Sequence, residues 1–141
     1  MPLIIDGHNL VPNIPGLSLS DVDDEQRLIE MVQEYCRIRR KQVELYFDNA
    51  PPGVVGMKQM GMVRVKFARK GRTADQEIKE RLEKLGNAAR NWAVVTSDQS
   101  VQLAVRSARA QVISAEEFAQ DIRNTLQNKG AKGKAVVDKP L

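Results

Sequence analysis

A chain of 141 residues that is 42% hydrophobic suits one globular domain with a single core and leaves no comfortable room for a second. Its 22 basic against 18 acidic side chains give a formal charge of +4, a balance too mild to identify a partner by itself. One cysteine excludes an internal disulfide and a cysteine-based zinc site, no apolar stretch nears the roughly 18 residues of a membrane span, and the start lacks the basic region of a signal peptide, so the sequence predicts a soluble, cytoplasmic protein.

Residues 3–5 read as a short buried strand, which stops abruptly on Asp6-Gly7-His8-Asn9. Residues 13–20, with Pro15 and Gly16, read as loop. Over 21–39, Leu28, Val32, Tyr35 and Cys36 recur at the helical period, and an acidic start and basic end complement the helix dipole. A second strand follows over 42–47, ending at Asp48, then a Pro- and Gly-rich loop over 49–61. The third strand, 62–67, alternates Val63, Val65 and Phe67 with Arg64 and Lys66. Thr73-Ala74-Asp75-Gln76 is a capping box, and the helix it opens carries Ile78, Leu82 and Leu85 before a stop at Gly86. A fourth strand spans 92–96, a short helix 99–107, and a fifth strand 110–113. Ser114 to Glu117 form another capping box, and Phe118, Ile122 and Leu126 line the last helix. The sequence thus predicts a domain over 1–127 and a flexible Lys/Gly-rich tail over 128–141.

Strands alternating with helices predict an α/β fold, with a central, mainly parallel, five-stranded sheet and helices on both faces. In such sheets ligands bind beyond the carboxyl ends of the strands. Asp6, Asp48 and Asp98 each follow a strand, and Asp75 opens the helix after another, so all four belong to that edge. Asn9, one short turn beyond Asp6, is placed to join them. Gathered carboxylates either raise their pKa values or bind a hard cation. Mg²⁺ takes oxygen ligands, usually one or two carboxylates plus substrate phosphates, and two such ions clamp the attacking and leaving oxygens of a phosphoryl displacement. Four acids suit that chemistry better than acid–base hydrolysis, which needs two. Each acid also has a local use: Asp98 as a helix cap, Asp75 as a partner of the helix dipole, Asp48 as a turn residue. A phosphatase of the D-x-D type is disfavoured by the D-G-H-N run, and the lack of a P-loop argues against an NTPase.

Four stretches in order, LIIDGHNL at 3–10, ELYFDNAPPG at 44–53, VKFARKGRTADQEIKERL at 65–82 and VVTSDQSVQLAV at 94–105, resemble the YacP-like NYN domains, a branch of the PIN-like ribonucleases. The resemblance spans the chain to about residue 120, and it implies a three-layer α/β/α PIN-like fold. It further implies a metal-dependent endoribonuclease that cuts single-stranded RNA with one or two Mg²⁺ or Mn²⁺ ions and leaves a 5′-phosphate and a 3′-hydroxyl. By matching position, Asp6, Asp75 and Asp98 would be the catalytic, metal-binding acids. Asn9 and Asp48 would be accessory to them, and Ser97 would position the Asp98 loop or a phosphate. Some relatives act on messenger RNA at the ribosome. After T-S-D this chain is compact, and the Lys/Gly tail stands where the family carries a long helical extension. The alternative reading is a catalytically weak or inactive RNA- or ribosome-binding module of the same fold.

Residues 57–72 hold six basic side chains and no acid. Of these, Lys66, Arg69, Lys70 and Arg72 lie nearest the proposed site and are the candidates to hold RNA phosphates; the alternative is a solvated strand and turn. Met57, Met60 and Met62 read as gap-filling or loop residues, and Trp92 and Cys36 as packing. His8, the only histidine, reads as structural rather than as a general base, and Gly7 as a residue that permits a backbone shape closed to others.

Overall fold

In a computed structural model of the chain, the described residues are 1–17, 22–48 and 57–138, with side chains described at all of these except 22 and 129–138. The chain runs β1 (Leu3–Asp6), α1 (Gly7–Leu10), a 3₁₀ turn (Val11–Asn13), α2 (Val22–Arg39), β2 (Val43–Phe47), β3 (Met57–Met60), β4 (Val63–Phe67), α3 (Ala74–Leu85), a 3₁₀ turn (Gly86–Asn91), β5 (Ala93–Val95), α4 (Gln99–Ser107), β6 (Gln111–Ile113) and α5 (Ala115–Asp138). The strands form one sheet in the order β3-β4-β2-β1-β5-β6. Every pairing is parallel except β3 with β4. β1 is therefore central, flanked by β2 and β5, and Asp6 pairs with Tyr46 at the carboxyl edge of the sheet.

Alternation along β1 sorts its side chains into two cores. Leu3 and Ile5 face α2 and α5, where Leu28, Val32, Tyr35, Phe118 and Ile122 close over them. Ile4 faces the other way, against Ile78 and Leu82 of α3 and Val101 and Val105 of α4. This gives the expected three layers. The first capping box forms in full, and at the second the N-cap serine bonds as expected. Thr73 Oγ1 accepts from the Gln76 amide at 3.2 Å while Gln76 Oε1 accepts from the Thr73 amide at 3.0 Å. Ser114 Oγ accepts from the Glu117 amide at 3.1 Å.

The structure departs from the sequence reading in three places. The sheet has six strands rather than five, because residues 57–60 of the expected 49–61 loop pair antiparallel with β4. This edge strand is largely exposed, so it carries no apolar alternation; only its ladder to β4 and the Gly61 turn, at φ +65°, define it. The rest of that loop, 49–56, lies outside the described residues, as do 18–20 of the first loop and Asp21. The last helix runs on through Asp138, where a tail without regular structure was expected from residue 128. Apolar periodicity reports a buried face, whereas Ala, Lys and Gln sustain helical backbone by propensity without one. Residues 139–141 lie outside the described residues. Finally, Asp6 runs directly into α1, a single helical turn too short to leave a periodic signal.

Candidate active site

Asp6 closes β1 and is 5% exposed. It occupies the residue before α1 but makes no side-chain cap bond to that helix, so its carboxylate is free for other partners. α1 lies tightly against the end of β2. A Cβ on Gly7 would stand 2.5 Å from the Phe47 ring and 2.8 Å from the Tyr46 carbonyl oxygen, so only glycine fits there. The turn carries Asn9 back over Asp6. Asn9 Nδ2 donates to Asp6 Oδ2 at 3.0 Å, and Asn9 Oδ1 accepts from the Ser97 amide at 2.8 Å. One side chain thereby ties the D-G-x-N turn to the T-S-D turn after β5. Thr96 Oγ1 adds a bond to Asp6 Oδ2 at 3.4 Å and accepts from the Asp98 amide at 3.1 Å.

Burial pushes the Asp6 carboxyl up to about 6; nearby His8 and the Asn9 backbone oppose this, while the charges of Asp48 and Asp75 add to it. Asp6, Asp48 and Asp75 thus share one electrostatic environment. Asp48 Oδ1 accepts from the Ala74 amide at 2.8 Å, clamping the start of α3 to the end of β2. Its Oδ2 lies 2.9 Å from His8 Nδ1. His8 Nε2 lies 3.2 Å from Glu25 Oε2 on α2, and the His8 ring meets Phe47 edge-on. His8 therefore bridges α1, α2 and the end of β2.

Asp75 stands in the first turn of α3, where Thr73 supplies the cap. Its Oδ1 is buried without a hydrogen-bond partner, and its Oδ2 lies 3.5 Å from Lys79 Nζ. Asp98 takes the local role the sequence offered it. It caps α4, with Oδ1 accepting from the amides of Ser100 at 2.8 Å and Val101 at 3.2 Å. Burial raises its pKa, but those bonds and the Lys79 charge outweigh burial and hold it below the usual carboxylate range. Ser97 Oγ accepts from the Ala115 amide at 3.0 Å and donates to Glu116 at 2.9 Å, so the hydroxyl is engaged at the start of α5.

Among the described residues no group of three or more Asp, Glu, His or Cys side chains is gathered closely enough to hold a metal ion. The donors present still suit a hard cation. They are carboxylate oxygens, one of them buried and unpartnered on Asp75, beside an Asp6 whose ionisation burial opposes. One or two carboxylates with substrate phosphates are the usual holding of Mg²⁺.

Three of the four basic residues expected at RNA are ion-paired within the chain. Arg69 donates to Glu77 at 3.0 Å and Glu80 at 2.9 Å, Arg72 donates to Glu80 at 2.8 Å, and Lys66 lies 3.6 Å from Glu44. Lys70 has no ion-pair partner among the described residues. Sequence reading missed Lys79 and Thr96 at the site. Lys79 left one signal, its place four residues after Asp75 on a helix; Thr96 left only its adjacency to Ser97-Asp98.

A profile of the YacP-like NYN domain matches residues 3–139. The chain is 27% identical to YacP of Bacillus subtilis over 125 residues, covering 85% of this chain and 74% of that protein. The crystal structure of Rae1 (YacP) from Bacillus subtilis is similar over 99% of this chain and 83% of that one, at 25% identity and a TM-score of 0.78. The crystal structure of a mutant of the same protein covers 99% of this chain and 86% of its own, at 24% identity and a TM-score of 0.80.

Proposed function

The chain belongs to the YacP-like NYN domain family, within the PIN-like nuclease superfamily, and from that premise we propose that it is a divalent-metal-dependent endoribonuclease acting on single-stranded RNA in the cytoplasm. The observation that carries the proposal is the Asn9 bridge. It fastens the buried Asp6 to the turn that bears Asp98, while the charges of Asp48 and Asp75 act on Asp6. A buried acid surrounded by acids is costly to the fold unless a cation or a proton offsets it.

Asp6 and Asp75 would hold Mg²⁺ or Mn²⁺, with Asp98 bordering the site through the oxygen that α4 does not use. Held there, the ion would supply Lewis-acid stabilisation of the scissile phosphate and activation of water, and hydrolysis would leave 5′-phosphate and 3′-hydroxyl ends. Asn9 keeps the Asp6 carboxylate oriented and Asp48 fixes the start of α3 beside it. Ser97 locks the turn between β5 and α4 against α5. Lys70, without an ion-pair partner among the described residues, would be the one to meet backbone phosphates, while Arg69, Arg72 and Lys66 would stay with their carboxylates.

The test is cleavage of an end-labelled single-stranded RNA in Mg²⁺ or Mn²⁺, with EDTA as control and the product ends identified. Asp75→Asn should lose at least about a hundredfold in rate. Asp98→Asn should lose activity with the helix retained, since asparagine also caps. Intact RNA in every divalent metal, or wild-type rates from Asp75→Asn, would sink the assignment. The lack of a three-acid group among the described residues favours one rival, an RNA-binding module without turnover. That rival expects RNA binding unaffected by EDTA and no cleavage.

A further inference from the structure

The acids of the site are already partly engaged by the chain. Asp98 gives Oδ1 to the amides of α4, and Asp48 gives its two oxygens to the Ala74 amide and to His8. Asp75 keeps Oδ1 buried and unpartnered while its Oδ2 faces Lys79. Lys79 stands one helical turn after Asp75 on α3. Its Nζ lies 3.5 Å from Asp75 Oδ2 and donates to Ser100 Oγ at 3.0 Å, across the gap to the first turn of α4. Its charge also acts on Asp98. An i,i+4 pair alone would be an ordinary surface feature worth little. This ammonium does more, since it is fixed to a second helix and serves acids from two different elements. Lys79 therefore touches Asp75 directly and reaches the Asp98 turn through Ser100, whose amide donates to Asp98 Oδ1 at 2.8 Å.

Resting on the nuclease reading above, we propose that Lys79 takes the place of a second divalent ion. The site then binds one Mg²⁺ or Mn²⁺ through Asp6 and Asp75, and the lysine ammonium supplies the other positive charge between Asp75 and Asp98. Asp75 and Asp98 thereby keep a cationic neighbour in Lys79 that does not depend on a second ion. A fixed charge at that spot opposes a further dication by direct repulsion, and it offers a donor to a phosphate oxygen without needing to be loaded.

The test is Mn²⁺ binding to the full chain without RNA, followed by calorimetry and by the electron paramagnetic resonance of free Mn²⁺. The wild-type protein should bind one ion per chain. Lys79→Met keeps the aliphatic stem and removes the charge. It should admit a second ion or bind the first about tenfold tighter, with circular dichroism unchanged; Lys79→Gln is read beside it in case the methionine variant does not fold. Lys79→Arg, which keeps the charge, should stay at one ion. Two ions of similar affinity in the wild type, or unchanged stoichiometry and affinity in both neutral variants, would overturn the role of Lys79 and leave the nuclease reading standing. No Mn²⁺ bound by any of these proteins would overturn the role of Lys79, and no cleavage of RNA in Mn²⁺ besides would overturn the nuclease reading as well.

Discussion

Asp6 is 5% exposed at the end of β1, with its carboxyl pushed up to about 6 by burial against the opposing charge of His8. At neutral pH the ionised group therefore costs the metal-free fold. Asp6→Asn can keep the bonds from Asn9 and Thr96 through its own oxygen while shedding the charge. In EDTA at neutral pH it should be more stable than wild type by about 2 kcal/mol, read as a higher denaturant midpoint at unchanged slope. The same variant should be inactive on RNA. A lower midpoint would mean that Asp6 is not a strained, functional acid. Gly7 makes the opposite prediction. A methyl there meets the Phe47 ring and the Tyr46 carbonyl at distances no real contact allows. Gly7→Ala should cost about 3 kcal/mol, measured by urea unfolding.

At the scale of elements, β2 is buried along its whole length yet contains Glu44. The residue is held by α3: Arg81 donates to it at 2.8 Å and 2.9 Å, and Tyr46 Oη donates at 2.9 Å. Burial raises its pKa, but Arg81, Lys66 and Tyr46 outweigh burial and leave it below the usual glutamate value of 4.5. A depressed carboxylate stabilises the fold fully above its unfolded pKa, and that contribution is lost as the pH falls through the folded value. The acid limb of the stability profile should therefore steepen below about pH 4.5. Glu44→Gln should flatten that limb and cost about 3 kcal/mol at pH 7, because Arg81 is left partly buried without its partner. Thermal melts of the two proteins between pH 3 and 7, which should converge toward the acid end, check this. The pair also sets the position of α3, and hence of Asp75 at its start.

Over the whole molecule, charge is distributed so that a basic segment in the sequence is not a free basic surface. Glu77 and Glu80 of α3 fold back on Arg69 and Arg72, and Glu44 on Lys66. Four unpaired cations on single-stranded RNA would give a slope of log Kobs against log salt near −3. With three of the four engaged by carboxylates, the slope should be nearer −1, and Lys70→Ala should remove about 0.7 of it. Filter binding in EDTA across a salt series measures this without turnover. A slope near −3 would show that the arginines abandon their glutamates for phosphate.

Much of this protein was legible in its sequence because local rules determine it. Alternating strands and helices, two capping boxes and an apolar run ending on Asp6 define an α/β sheet and the edge that carries the acids. Family motifs could be matched for the same reason, since each is a short run with a fixed place in the chain. The edge strand β3 was not legible, because a strand exposed over most of its length has no apolar period and is defined by its ladder to β4. The partners of the site residues were not legible either. Asn9 and Ser97 are 88 residues apart, Asp48 and Ala74 are 26 apart, and Lys79 and Ser100 are 21 apart. The chain alone determined which groups reach the carboxyl edge, because strand period and helix caps are local. Only the tertiary structure decided which of them is held, paired or left unpartnered, because side chains that far apart in sequence meet only once the layers have packed.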